Sequence, residues 1–317
     1  MFKRDHRLLS DFGCDANAVY WTDVHEQRAE TIRDAVAGRQ LHAVIGPYGS
    51  GKSMLTREAL SEVDEVVYVN NPDRRKMRIG HVMSAIIYEM GQGNPKRGTL
   101  ARQYQVERVL GESAVRRGNQ IAVVLENAHR LHHRTLMAIK DLMETADYNG
   151  VSPLFGCILV GQEPLSGKLD KHGEVKHRTR EMWLTESEGW MTLDQRIEYL
   201  QHIYGDVITP EMKKRLATLY TSPLELDHKI DEHLRRMREA GIDRMTWEHA
   251  PLPLDELRQA AGLSVRQVES ISGVPKSTVS DAEHGKTDDP EVEEQIVSSI
   301  DDFIAEQNGD GSTPAHA

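Results

Sequence analysis

The apolar residues of the first half of the chain gather in short, nearly unbroken runs, and the segments between them carry helical stripes. Leu41-His42-Ala43-Val44-Ile45 is the first run and Glu65-Val66-Val67-Tyr68-Val69-Asn70 the second. Ile121-Ala122-Val123-Val124-Leu125 is the most apolar, and Phe155-Gly156-Cys157-Ile158-Leu159-Val160-Gly161 is the last. Such runs, with little polar alternation, fit strands buried on both faces. Helical spacing covers residues 24–37, closed by Gly38, and then 54–60, 79–91, 99–116 and 132–146. Gly91-Gln92-Gly93-Asn94-Pro95 breaks the third of these from the fourth. Strands alternating with helices predict an α/β structure built on a parallel sheet.

From about Thr192 the β signal stops. Residues 192–240 read as helices punctuated by Gly205, Pro210 and Pro223, and 241–253 as a linker with Gly241, Pro251 and Pro253. A last helical module fills 254–306, and the tail from Asn308 to Pro314 has a disordered composition.

Composition sets limits on this frame. With 38% hydrophobic and 28% charged residues among 317, the chain can build a core, and its length suits two or three domains. No apolar run reaches the roughly 18 residues of a membrane span, and the basic N-terminus has no apolar stretch behind it. Cys14 and Cys157 are far apart and lack metal-ligand spacing, which fits thiols in a reducing compartment. The expectation is a cytoplasmic protein of a bacterial host cell that makes no contact with membrane. A net charge of −11 argues against a chain that coats nucleic acid with its whole surface, but leaves room for local basic patches.

The first run feeds directly into Gly46-Pro47-Tyr48-Gly49-Ser50-Gly51-Lys52-Ser53, and Met54 continues as helix. This is a complete G-x-x-x-x-G-K-[ST] phosphate loop in its proper strand–loop–helix setting. Glycines let backbone N–H groups turn toward phosphate oxygens, and the helix N-terminus adds partial positive charge. Lys52 is expected to reach the β and γ phosphates of a nucleoside triphosphate and the Ser53 hydroxyl to ligate Mg²⁺. The strand Ile121–Leu125 then ends in Glu126-Asn127-Ala128-His129. Glu126 stands where such sites place the aspartate that holds Mg²⁺, and Asn127 where a glutamate would activate water. Asparagine accepts no proton at neutral pH, so slow hydrolysis is expected. Gln162 ends the strand expected to flank the γ-phosphate, where a polar amide can sense it.

Together the loop, the Glu126-Asn127-Ala128-His129 run and Ile158-Leu159-Val160-Gly161-Gln162-Glu163-Pro164-Leu165 resemble the AAA+ ATPases. Within them they are similar to the branch that holds the transposition regulators MuB, TnsC and TniB and the secretion ATPase ExeA. The resemblance spans about residues 20–250, and Asn94-Pro95-Lys96-Arg97-Gly98 is similar to a basic turn in MuB. It implies ATP as the nucleotide. It also implies a P-loop AAA+ domain over 24–190 after an N-terminal segment 1–23, then a helical lid over 191–250. By position Gln162 resembles sensor 1. Arg178 or Arg180 resembles the arginine that reaches a neighbouring subunit's nucleotide, which implies a homo-oligomer, a ring or a helical filament. The family's acidic pair is replaced here by Glu126-Asn127, and the lid element Ser222-Pro223-Leu224-Glu225-Leu226-Asp227 has no arginine. Both departures imply weak turnover.

Residues 263–286 resemble a repressor-like helix-turn-helix, with Gly273 at the turn, inside a module over 251–306 that precedes the tail 307–317. Lys276, Ser277, Thr278 and Ser280 are its candidate DNA contacts. On the ATPase domain the candidates are Arg74, Arg75 and Lys76, and Lys96, Arg97 and Arg102, which would neutralise phosphates without reading sequence. The expected function is an ATP-dependent regulator of DNA transposition that assembles on double-stranded DNA and delivers it to a transposase. The alternatives are an ExeA-like secretion-assembly ATPase and a nucleotide-sensing transcription regulator.

Overall fold

The computed structural model describes residues 5–69, 77–91, 93–184, 191–246, 253–286 and 289–309. They fall into two compact units: Trp21–Trp190, and Met1–Tyr20 together with Met191–Ala317.

Helix α1 (His6–Asp11) opens the second unit, its first turn capped by Asp5, whose carboxylate accepts from the backbone N–H of Arg7 and Leu8. The first unit alternates strands and helices. It runs through α2 (Asp23–Ala37), β1 (Leu41–Ile45), α3 (Lys52–Ala59), β2 (Glu65–Tyr68), α4 (Ile79–Glu89) and α5 (Thr99–Gly111). After β3 (Ile121–Leu125) comes a 3-10 turn (Ala128–Arg130), then α6 (His133–Thr145), β4 (Gly156–Gly161), α7 (Pro164–Asp170), α8 (Gly173–Lys176) and β5 (Thr179–Trp183). All strand pairs are parallel, in the order β2-β3-β4-β1-β5. Every residue of β1, β3 and β4 is buried, which is why these strands read as unbroken apolar runs.

Strand β5 is an element that the apolar pattern did not predict. Thr179–Trp183 is an edge strand lying against β1, with Arg180 opposite His42. Among the described residues it pairs with β1 alone, and it is only partly covered, so its Thr-Arg-Glu-Met-Trp sequence carries no apolar run. The order places β1 between β4 and β5, and the chain leaves β1 for the far edge of the sheet. That reversal marks the carboxyl end of β1 as the crevice where open α/β sheets bind ligands.

Where α2 crosses the sheet it needs a glycine beneath it. A Cβ on Gly156 would lie 2.7 Å from the Val36 Cα and 3.2 Å from its carbonyl oxygen. Backbone cannot yield as a side-chain tip can, so Gly156→Ala is expected to cost about 1–3 kcal/mol. In thermal unfolding that is a fall of roughly 2–4 °C per kcal/mol. Gly167, inside α7 with nothing near its virtual Cβ, is the control. Gly167→Ala gains about 0.5–1 kcal/mol from helix propensity alone.

The second unit is helical: α9 (Leu193–Tyr204), α10 (Pro210–Leu219), α11 (Pro223–Ala240), α12 (Leu254–Ala260), α13 (Val265–Ser272), α14 (Lys276–Glu283) and α15 (Pro290–Gly309). The Tyr199 and Tyr204 hydroxyls both donate to Asp227, at 2.6 and 2.8 Å. Arg215 donates to Asp301 on α15 at 2.8 Å. Gly273, at φ +71°, makes the turn between α13 and α14. Arg258 on α12 holds Glu283 on α14 and the Leu263 carbonyl.

Candidate nucleotide-binding site

The phosphate loop begins where β1 ends. Ile45 is its last strand residue and Gly51, at φ +78°, is the N-cap of α3, so Lys52 and Ser53 lie in the first turn of that helix. Gly49 is also left-handed, at φ +81°. Both positions expose backbone N–H groups in a conformation that glycine adopts without strain. Gly46 is a glycine for a different reason. A Cβ there would meet the Leu184 carbonyl oxygen at 2.6 Å, because residue 184 follows β5 and donates its N–H to Ile45. Ser50 is buried and closes the loop by donating to the Pro47 carbonyl at 2.9 Å. Pro47 and Tyr48 stand on its exposed rim, and Met54 is half-buried on α3.

Lys52 lies over the loop. Its ammonium donates to the Pro47 carbonyl and to the Ser50 hydroxyl. Burial lowers its pKa to about 8, against the opposing pull of the Glu126 carboxylate. From the end of β3, Glu126 reaches across to accept the Ser53 hydroxyl at 2.8 Å. A hydroxyl and a carboxylate meeting beside a lysine and a helix N-terminus form a donor set that fits Mg²⁺ bound with nucleotide phosphates. Mg²⁺ prefers one or two protein oxygens and its own waters to an all-protein cage. No cluster of three or more His, Cys, Asp or Glu able to hold a metal occurs among the described residues.

Asn127 is exposed and left-handed, at φ +56° and ψ +37°, and its carbonyl accepts the Arg130 N–H at the start of the 3-10 turn. Asparagine is among the few non-glycine residues that adopt this conformation readily, so the backbone supplies its own reason for the residue. Gln162 follows β4 directly, next to β1 in the sheet, and its backbone N–H donates to His129.

The two arginines lie elsewhere. Arg178 precedes β5, is 68% exposed and pairs with Glu144 at 3.0 Å. Arg180 is opposite His42, near the start of β1. Four residue steps along β1, about 13 Å, separate that level from the phosphate loop. Of the candidate DNA contacts, Lys96 and Arg97 are exposed on the turn between α4 and α5. Arg102 holds that turn, donating to the Lys96 and Gly80 carbonyls at 3.0 and 3.1 Å. Arg74, Arg75 and Lys76 lie outside the described residues. Lys276 and Ser277 are exposed at the start of α14, and Thr278 and Ser280 are half-buried. The Lys276 N–H donates to the carboxylate of Glu269 at 3.0 Å.

A phosphate loop, an acidic strand end and a five-stranded parallel sheet in this order define a P-loop AAA+ fold. Residues 34–169 match the family model described as an AAA domain. No curated protein matches the chain. Among solved structures it is similar to Cdc6p from Pyrobaculum aerophilum, with 16% identity, 95% of this chain and 90% of that chain covered, and a TM-score of 0.57. A RuvB variant from Thermotoga maritima gives 13% identity, coverage of 82% and 85%, and a TM-score of 0.47. A Drosophila ORC structure bound to GC-rich DNA and Cdc6 gives 12% and 0.46. That match covers 95% of this chain but 48% of the other, so this chain spans about half of it. At these identities the likeness is one of fold.

Proposed function

We propose that this chain is an ATP-dependent, largely sequence-nonspecific DNA-binding regulator of DNA transposition. Its subunits oligomerise on target DNA with ATP bound and deliver that DNA to a transposase, and slow hydrolysis releases them. The observation that carries the reading is the pairing of a well-built binding site with an absent base. Ser53 donates to Glu126 close to Lys52, an arrangement that suits Mg²⁺ and ATP, whereas the residue after Glu126 is Asn127. When bound, Mg²⁺ would neutralise charge on the phosphates; Ser53 and Glu126 would orient it and Gln162 would sense the terminal phosphate.

Arg178 and Arg180 support assembly. They stand toward the amino end of β5, away from their own loop, which suits service to a neighbouring subunit's nucleotide. Releasing Arg178 from Glu144 costs little, since an exposed pair contributes about 0–1 kcal/mol. For DNA, the exposed Lys96-Arg97 turn, together with Arg74, Arg75 and Lys76, offers phosphate contacts with no base readout. Lys276, Ser277, Thr278 and Ser280 are a second contact. The Glu269 carboxylate at the start of α14 weakens it for phosphate, so the main contact is on the first unit.

The test is duplex binding with and without a non-hydrolysable ATP analogue. Random-sequence DNA is expected to bind tightly only with the analogue. Affinity then falls by about 10³ or more between roughly 50 and 200 mM salt if six or more phosphates are neutralised. A single protected site sinks the reading in favour of nucleotide-sensing transcription control, and random-duplex binding that ignores nucleotide sinks it outright.

A further inference from the structure

Three contacts fasten the segment after β3, the 3-10 turn and Leu131, to the end of β4 and to α7. The His129 ring accepts, at Nδ1, the backbone N–H of Gln162 at 3.2 Å. Lys168 on α7 donates its ammonium to the His129 carbonyl and, at 2.9 Å, to the Leu131 carbonyl. Gly161 permits the close approach, for a Cβ there would lie 3.2 Å from the His129 nitrogen and 2.7 Å from the Leu165 side chain. The Gly161 carbonyl also accepts the Gly46 N–H, at 3.3 Å, at the base of the phosphate loop. One continuous path therefore joins Gly46, Gly161, Gln162, His129 and Lys168. A backbone N–H can only donate, so Nδ1 must be bare and the proton of the neutral ring sits on Nε2.

We propose that His129 is a positioning residue for ATP hydrolysis. Its unprotonated Nδ1 holds the Gln162 backbone, and with it the Gln162 amide, in register with the phosphate loop, and protonation of the ring lets it go. This rests on the reading of Gln162 as the residue that senses the terminal phosphate. The charged groups around the ring are Arg130 on its own turn, Lys168 from α7 and Lys52 from α3, all cationic. Burial first, and these charges after it, keep the ring neutral to a lower pH than the ordinary 6.5. The sign follows: the contact is intact at and above that value and is lost as pH falls through the lowered one. Bound phosphates offset Lys52, so nucleotide moves the release point back toward the ordinary range.

The test uses the full-length protein and compares His129→Ala with His129→Asn, whose amide oxygen is an acceptor that does not titrate. Hydrolysis is followed across about pH 5 to 8. Exchange of the Gln162 amide is followed in parallel as a readout independent of turnover. Wild type is expected to show an acid limb in rate and a matching loss of amide protection. His129→Ala loses about 3–10-fold in kcat at neutral pH, the value of one hydrogen bond, together with amide protection. His129→Asn retains most of both and has no acid limb. ATP affinity, read with a fluorescent analogue, is unchanged in both variants. An acid limb that survives in both, or His129→Asn behaving as His129→Ala, overturns the proposal. If Lys52→Ala also binds ATP normally, the nucleotide reading itself has failed. If Lys52→Ala loses ATP while the His129 variants keep the acid limb, only the role of His129 has.

Discussion

Lys52→Ala is expected to bind ATP about 100-fold or more weakly than wild type. In the structure the ammonium is held over the loop by the Pro47 carbonyl and the Ser50 hydroxyl, so it is already placed where phosphates would arrive. Charged hydrogen bonds contribute about 1.5–3 kcal/mol each, and contacts to two phosphates sum to roughly 3–6 kcal/mol. At 1.4 kcal/mol per decade that is at least about two orders of magnitude in Kd. A pH signature separates this role from loss of packing. Burial lowers the pKa of Lys52 to about 8, and only the ammonium form binds phosphate well. Affinity is therefore level below that pH and falls as pH rises through it. Binding near pH 8 takes up a proton, because phosphate restores the ordinary lysine value. Calorimetry in buffers of different ionisation heat measures that uptake directly. Wild type is expected to show it and Lys52→Ala to lack it, and equal uptake by both would remove Lys52 from the phosphates.

The sequence made the centre of this site plain because its pieces are local. The phosphate loop is one continuous stretch, and β1, β3 and β4 are buried on both faces, so their apolar runs carry no competing signal. Ser53, in the first turn of α3, and Glu126, at the end of β3, were both expected at Mg²⁺, and they meet at 2.8 Å. Strand β5 was illegible for the opposite reason. At the sheet edge its residues need not all be apolar, and Thr-Arg-Glu-Met-Trp resembles a polar turn when seen alone. The link from His129 to Gln162 joins residues 33 positions apart whose encounter depends on β3 and β4 lying side by side. No local pattern encodes that. Arg102 shows a related limit: its charge is plain in the sequence, but not that its guanidinium holds the turn that presents Lys96 and Arg97. Charge is visible in a sequence, and its partners are not.

Supplying a base at position 127 is expected to raise hydrolysis by about 10²-fold, the lower end of what general-base catalysis contributes. Two effects compete. Asn127 sits at φ +56°, where a longer side chain without local hydrogen bonding costs about 1–2 kcal/mol, so Asn127→Glu should lower the unfolding midpoint while it raises kcat. Asn127→Asp avoids most of that cost, since aspartate tolerates the left-handed region as asparagine does, but its carboxylate reaches one methylene less. Steady-state hydrolysis and thermal unfolding of the two variants separate the effects. If glutamate accelerates and aspartate does not, reach is limiting. If both accelerate, the missing proton acceptor limits the rate of the wild type. If neither does, Asn127 is present for its backbone conformation, and the proposed slow turnover loses its cause. Acceleration has a consequence beyond the rate itself. A protein held on DNA by bound ATP leaves when the ATP is spent, so complexes of the faster variant should dissociate sooner in ATP. In the non-hydrolysable analogue they should persist as long as those of wild type, and that contrast ties the chemistry at position 127 to the lifetime of the assembly.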